Sequence, residues 1–300
     1  MSDSKERTIA RLENLEAISP LLNSLRVLSL STLQMAHNRQ EALKAYSDQF
    51  HLMAAQLNQV VEPEKLVIKE EETYSYAAQA KEKDALVVLG SSRGICGQYN
   101  KRLAQRAREI WETDPENCLV IAFGARLHKA LHQEGVPFQH QEALMEGSSP
   151  KYELVSEQVR AWTELVNGAI WKNIQVLSFR REGGTNNYKP VLSPLLPAPE
   201  QALAVKSADE LPWPPPIIEG DPAVLLSRIR EHLNVIHFYD LILDAIAAES
   251  LYRYRLLEEA RENTDQLVEE LAQAIQIERR KEITQQLQEL LSGSGMLLER

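Results

Sequence analysis

The sequence predicts an α/β fold in which a long N-terminal helix and a longer C-terminal helix pair as a coiled coil and hold between them a small Rossmann-like α/β domain. Three features predict it. Residues Ala223 to Ser292 form a stretch of 70 without Gly or Pro, both ends of the chain show a four-three alternation of apolar residues, and short apolar runs alternate with helical stretches in the middle. With 300 residues, 44% hydrophobic and 25% charged, the chain can bury a substantial core.

Residues 1–62 read as the first helix. Its predicted seam is Leu15, Ile18, Leu22, Leu25, Ser29, Thr32, Ala36, Arg39, Leu43, Tyr46, Phe50, Met53, Leu57 and Val60, ending before Pro63. Pro20, preceded by Ser19, either kinks this helix or restarts it with Ser19 as the cap.

Residues 66–182 switch period. The runs DALVVLGSS (84–92), NCLVIAFG (117–124) and NIQVLSFR (173–180) read as buried strands, with helical stretches at 100–113, 125–134 and 151–167. That alternation predicts a small layered domain with a mostly parallel sheet. Residues 183–220 are then expected to form a linker or an extended lobe. Nine of the fourteen prolines lie between Pro190 and Pro222, and each lacks an N–H and restricts its predecessor.

Residues 221–300 read as the second long helix. Asp221 suits the N-cap, Pro222 the first helical position and Gly293 the left-handed C-cap. Seventy residues at 1.5 Å each give about 105 Å, far more than a globular helix needs, so a partner helix is required. The predicted seam is Ile229, Leu233, Ile236, Asp240, Leu243, Ala247, Ser250, Tyr254, Leu257, Arg261, Thr264, Val268, Leu271 and Ile275, and the N-terminal helix is the partner on offer. Pattern alone leaves the register of the pairing open.

Composition excludes several function classes. A net charge of −10 argues against a nucleic-acid binder, and no run approaches the roughly 18–20 apolar residues of a membrane helix. The start, MSDSKERTIARLENLEA, has neither a signal-peptide core nor a transit composition, so a soluble, untargeted chain is expected. Cys96 and Cys118 do not make a disulfide framework or a zinc cluster.

Candidate chemistry is sparse. LGSSRGICGQYN (89–100) is a glycine-bearing turn between strand and helix, but it lacks both the Walker Gly-Lys-Ser/Thr and the GxGxxG spacing. It reads as a packed turn rather than a phosphate cradle, and Cys96 within it as a packing residue rather than a nucleophile. His128 and His132 stand four apart without the glutamate of a zincin and read as a solvated pair. The acids Glu258, Glu259, Glu262, Glu269 and Glu270 read as a solvated helix face. Arg279, Arg280 and Lys281 lie over a dozen residues before Gly293, too far to serve the helix dipole; they read as surface salt-bridge residues or, more sharply, as a contact for acidic loops of a partner.

At these residues the chain resembles the γ subunit of F-type ATP synthases, as a divergent member. SSRGICGQYN is similar to that family's SDRGLCGGLN, matching at Arg93, Gly94, Cys96, Gly97 and Asn100, with Ser92 in place of the acid. AAESLYRYRLLEEARENTDQLVEELAQ (247–273) matches at Glu249, Arg253, Ala260, Asn263, Leu267 and Leu271. ERRKEITQQLQELLSGSGML resembles the closing RQxxITxExxEIVxGAxAL at Arg279, Ile283, Thr284, Glu289, Gly293 and Leu297.

The resemblance implies an antiparallel coiled coil serving as a rotor shaft inside a ring of α and β subunits, with the α/β domain on the membrane c-ring beside the ε subunit. It implies no cofactor, no catalytic or metal site of its own and no membrane insertion, on the cytoplasmic face of a bacterial-type inner membrane. It also implies that Arg279, Arg280, Thr284, Arg26 and Leu25 meet the catch loops of β subunits. The chain departs from the family where a Lys- and Thr-rich first helix, IKSxKNTQKITKAM, becomes LENLEAISPLLNSL. Glu16, Pro20 and Asn23 fall where lysines are expected, Leu25 takes the methionine position, and Arg26 keeps a basic charge. In the closing stretch Arg280 replaces glutamine and Gln286 replaces glutamate. A straight first helix through Pro20 favours the shaft, a clean break there favours a γ-like scaffold, and a polar pocket holding Cys96 favours a small enzyme.

Overall fold

The computed structural model describes residues 2–61, 83–141, 145–146, 149–168, 170–183, 187–197 and 217–295. In chain order the elements are α1 (Ser2–Val60), β1 (Lys83–Leu89), α2 (Tyr99–Trp111), β2 (Cys118–Phe123), α3 (Ala125–Glu134), β3 (Gln139–Gln141), β4 (Met145–Glu146), β5 (Ser149–Pro150), α4 (Tyr152–Asn167), β6 (Trp171–Arg181), β7 (Tyr188–Leu196) and α5 (Pro222–Gly295). The fold class is the expected one: two long terminal helices and a small mixed α/β layer domain. Two compact units partition the chain, and the division cuts both long helices. Unit 1 is Met1–Ser29 with Arg253–Arg300, and unit 2 is Leu30–Tyr252.

Unit 2 holds a five-stranded sheet in the order β3-β2-β1-β6-β7. The first four of these strands run parallel and β7 runs antiparallel to β6. Ala85 to Leu89 are all buried, as are Val120 to Phe123, because a parallel sheet covered on both faces needs continuous apolar runs rather than alternation. Helix α2 contributes Leu103, Ala104 and Ala107 to this core, α3 contributes Leu127 and Leu131, and α4 contributes Val155, Val159 and Trp162. Trp162 makes edge contacts with Phe123 at 6.3 Å and with Phe238 of α5 at 5.1 Å, joining sheet, α4 and α5.

The stretch expected as linker or extended lobe contains a strand. Residues Tyr188–Leu196 pair with β6 from Arg181↔Tyr188 to Ile174↔Leu196, so the sheet continues past residue 182. Prolines 190 and 194 are tolerated there because β7 is the edge strand and needs only one side of its backbone for the ladder. Residues 198–216 of the proline-rich stretch lie outside the described residues.

Helix α1 is continuous through Pro20 and does not restart at Ser19. Pro20 and Glu16, the residue whose carbonyl loses its N–H partner, are both exposed, and the Pro20 carbonyl itself accepts from Ser24 Oγ at 2.9 Å. At the start of α5, the Asp221 carboxylate accepts from the Ala223 N–H at 3.0 Å, as an N-cap does. The helix then runs past Gly293 to Gly295, so Gly293 is not its C-cap.

The predicted α5 seam is buried or half-buried at every position from Ile229 to Ile275. The α1 seam is covered at Leu15, Leu22, Phe50 and Leu57 and at every predicted position from Ser29 to Leu43, and it fails at the other five. Ile18, Leu25, Tyr46, Met53 and Val60 are exposed, and the covered face instead includes Ser19, Arg26, Leu33, Gln40, Ser47, Ala54 and Val61. Each miss is a shift by one residue: Ser19, Arg26, Ser47 and Ala54 take the inward place of a larger neighbour, and Val61 that of Val60. Within unit 1 the helices run antiparallel, with Lys5 meeting Glu282 at 2.5 Å and Arg26 meeting Glu258 at 2.7 Å. Within unit 2 the order is likewise antiparallel, as Gln40 meets Asp244 and Asn58 meets Arg230.

Candidate functional site

The basic residues picked out near the C-terminus sit beyond the covered seam of α5, on a stretch that Lys5 of α1 still touches at Glu282. The covered seam in unit 1 ends at Glu278, and every side chain from Arg279 to Ser292 is exposed. Ile283, Leu287, Leu290 and Leu291 stand between 52% and 71% accessible on this stretch, beside Arg279, Arg280 and Lys281. Thr284 Oγ1 donates to the Arg280 carbonyl at 2.9 Å, a local back-bond that leaves its methyl and the flanking basic groups facing outward. A mixed basic and apolar helix face of this kind is suited to a partner surface rather than to chemistry.

Leu25 and Arg26 lie elsewhere in the same unit. Leu25 is 40% exposed, while Arg26 turns inward and donates from Nη1 to Glu258 Oε2 and from Nη2 to Asn23 Oδ1 at 3.0 Å. The hydrogen bond to Glu258 is the main cause raising the Arg26 pKa and, reciprocally, lowering that of Glu258. The structure does not bring these two residues to the 279–284 face. Glu282 pairs with Lys5, and the α1 residues from Lys5 to Arg26 span about 30 Å of helix.

The loop after β1 is a packed turn in unit 2. The Ser91 N–H donates to Asn100 Oδ1 at 3.0 Å, and Asn100 Nδ2 donates back to Ser91 Oγ at 2.8 Å. The Ser91 carbonyl accepts the Arg126 N–H at 3.0 Å, so α3 starts against this loop. Gly124 has φ 108°, and a Cβ there would fall 2.7 Å from the Ser91 carbonyl oxygen, so only glycine fits. Gly94 lies over the Arg126 guanidinium and Gly97 takes φ 51° to turn into α2. Ile95 adopts φ 60°, a left-handed conformation costly for a β-branched residue, while 49% exposed. Arg93 contributes its carbonyl, which accepts from Ser91 Oγ at 3.0 Å and from Cys96 Sγ at 3.2 Å. Cys96 is buried among these groups, as a packing residue is.

His128 is not a solvated histidine. Its Nε2 lies 2.9 Å from the Ala122 carbonyl and its ring stacks on Phe138 at 5.0 Å, while His132 is exposed. No group of three or more His, Cys, Asp or Glu suited to a metal occurs among the described residues.

Two constellations escaped the sequence reading. Tyr99, fully buried, places its hydroxyl 3.3 Å from both the Leu89 and the Ala245 carbonyls and stacks on Phe179 at 4.7 Å. It thereby ties the loop motif to α5. The second is an ionic cluster from three elements. Arg180 at the end of β6 donates from Nε to Asp244 Oδ2 at 3.0 Å and from Nη2 to Asp240 Oδ2 at 3.1 Å. Gln40 of α1 donates to the other oxygens of the same carboxylates, at 2.9 Å and 3.2 Å. Burial pushes the Asp244 carboxyl above the usual range, opposed by the Gln40 hydrogen bond and the Arg180 charge. A cavity of about 520 Å³ opens beside the cluster, lined also by Lys44, His51 and His237. The available signal was Asp240 and Asp244 spaced four apart in an otherwise apolar stretch.

These features describe a chain built to hold helices together and present their surfaces, and comparison with known proteins agrees. The protein-family model described as ATP synthase matches residues 5–297. The ATP synthase gamma chain of Lachnoclostridium phytofermentans is 22% identical over 96% of this chain and 97% of its own length. Among solved structures, a chain of the Euglena gracilis mitochondrial ATP synthase, in an assembly of OSCP, F1 and c-ring, is similar with a TM-score of 0.62 at 12% identity, covering 99% of this chain and 95% of that one. A chain from the rotor of the same organism's enzyme gives 0.57 at 13% identity, covering 94% of this chain and 100% of that one. With the family match running through both long helices, the sheet and the exposed closing stretch, the chain belongs to the γ-chain family of ATP synthases.

Proposed function

We propose that the chain is the central rotor shaft of an F-type ATP synthase or ATPase, coupling ion flow through a c-ring to ATP synthesis or hydrolysis in a ring of α and β subunits. It has no catalytic role of its own, and the nucleotide sites belong to the β partners. The observation that carries this reading is the closing stretch of α5, where the covered seam stops at Glu278 and an exposed basic and apolar face follows. The unbroken α1 through Pro20 supports a shaft over a scaffold, since a continuous helix transmits twist.

In this reading Arg279, Arg280 and Thr284 meet acidic catch loops of β subunits, and Leu25 with the Arg26–Glu258 pair forms a second contact along the shaft. The α/β domain of unit 2 faces the ε subunit and the c-ring. The assembly is peripheral, on the cytoplasmic face of a bacterial-type inner membrane. No helix among the described residues is long and apolar enough to cross a membrane.

Reconstitution of the chain with its own α and β subunits tests this. ATP hydrolysis by the complex is expected to fall when the chain is omitted, and Arg279→Ala is expected to weaken association with the ring. A charge-assisted hydrogen bond is worth about 1.5–3 kcal/mol, which is about tenfold or more in affinity. Because Arg279 is exposed, the melting temperature of the isolated chain should not move. Equal hydrolysis with and without the chain would refute the shaft, and unchanged affinity would remove Arg279 from the contact.

A further inference from the structure

We propose that Arg180, gripped by Asp240 and Asp244 together with Gln40, is the positioning residue that fixes the sheet of unit 2 against rotation about the paired helices, so that twist applied to one is delivered to the other. This deepens the shaft reading and rests on it.

The geometry carries the inference. Asp240 and Asp244 stand one helical turn apart on α5, and a guanidinium is a rigid planar fork that reaches both carboxylates from the end of β6. Gln40 adds α1 to the same pair of carboxylates, so one cluster fixes three elements. Apolar burial has no preferred direction, whereas a forked set of charged hydrogen bonds specifies one rotational setting of α5 against β6.

The surroundings place unusual weight on the cluster. The cavity of about 520 Å³ interrupts close packing between the Gln40–His51 stretch of α1, the end of β6 and α5. Asp244 lies inside a run, Leu241 to Ala248, in which every side chain is buried, and its own side chain is 6% accessible. A charge at such a position costs desolvation that an apolar residue would avoid, so stability alone does not account for it. Directional locking does.

The test uses the α/β ring complex with the ring fixed to a surface and a rod attached to the sheet domain through Gln105→Cys. Labelling is selective because Cys96 is buried and burial raises the Cys118 thiol to about 11. The angular variance of the rod, read in the pauses between catalytic steps, reports torsional stiffness. Arg180→Met is expected to raise that variance twofold or more, and Asp244→Asn to raise it as well. Arg180→Lys, which keeps the charge but loses the fork, should give an intermediate value and serves if the methionine variant does not assemble. An unchanged variance would overturn the proposal, including the case where only the melting temperature falls, since that marks a structural contact without a torsional role. A parent complex that assembles but does not rotate would overturn the shaft reading itself, and this proposal with it.

Discussion

Arg26 and Glu258 join α1 to α5 in unit 1 through a 2.7 Å ion pair whose side chains are both about one-quarter accessible. Glu258 also receives Arg261 at 3.4 Å, so the carboxylate sits between two guanidinium groups. Resemblance to the family turns Arg26 toward a partner, whereas the structure engages it within the chain.

From this pair follows a pH and salt dependence. The Glu258 pKa is lowered, by the Arg26 hydrogen bond first, so its contribution is complete above the ordinary value of 4.5 and is lost as pH falls through the lower folded value. Glu258→Gln should therefore reduce thermal stability slightly at pH 7 and not at pH 2–3, with the difference shrinking in high salt. Circular dichroism melts at two pH values check this. An equal loss at both would assign the effect to packing.

Leu257 is 1% accessible in the α5 seam, whereas Leu25 is 40% accessible on α1. Leu257→Asp should cost on the order of 3–5 kcal/mol, combining a lost core contact with a buried charge. Leu25→Asp should stay within about 0.5 kcal/mol, as exposed substitutions do. Denaturant unfolding of both variants distinguishes this seam from one that places Leu25 inward, for which the two losses would be similar.

Ile95 carries its β-branched side chain at φ 60° while half-exposed. Replacing it with glycine should relieve about 1–2 kcal/mol of backbone strain, set against the larger entropy of glycine in the unfolded chain. Ile95→Asn, which tolerates this conformation without that entropy, should stabilise more clearly. A loss of stability in both variants would contradict the strained turn.

Four histidines of unit 2, His37, His51, His232 and His237, have pKa values lowered from 6.5, chiefly by burial in each case. A lowered histidine contributes stability that is full above its unfolded pKa and is lost as pH falls below it. Thermal stability should thus hold steady above pH 7 and decline from about pH 6.5 downward, before carboxylates of ordinary pKa titrate. His232 sits between the Tyr46 hydroxyl at 3.1 Å and the Tyr152 hydroxyl at 3.2 Å, so His232→Gln should flatten part of that decline. A flat profile between pH 7 and 5 would contradict it.

Much of the architecture could be read from the sequence, for identifiable physical reasons. Strands β1 and β2 announce themselves because both faces are buried and their apolar residues run on without a break, and β6 because Ile174, Val176, Leu177 and Phe179 crowd together around Gln175 and Ser178. Strand β3 is Gln-His-Gln at an edge, and β7 carries two prolines at the other edge, so neither has the composition of a central strand. The α1 register slipped because Ser19, Arg26, Gln40 and Ser47 turn inward as polar residues, while Ile18, Leu25, Tyr46 and Met53 turn outward. Arg180, Gln40, Asp240 and Asp244 meet only in three dimensions, since their sequence separations run up to 204 residues. Linear motifs do not reveal a contact of that range.

The most direct test of the central claim is mild affinity isolation of the tagged chain from its native membranes, with native mass and ATP hydrolysis measured on what co-purifies. The account predicts a particle holding α and β subunits together with this chain, whose hydrolysis is lost when the chain is removed. Recovery of the chain alone, or with partners that hydrolyse no ATP, would contradict it.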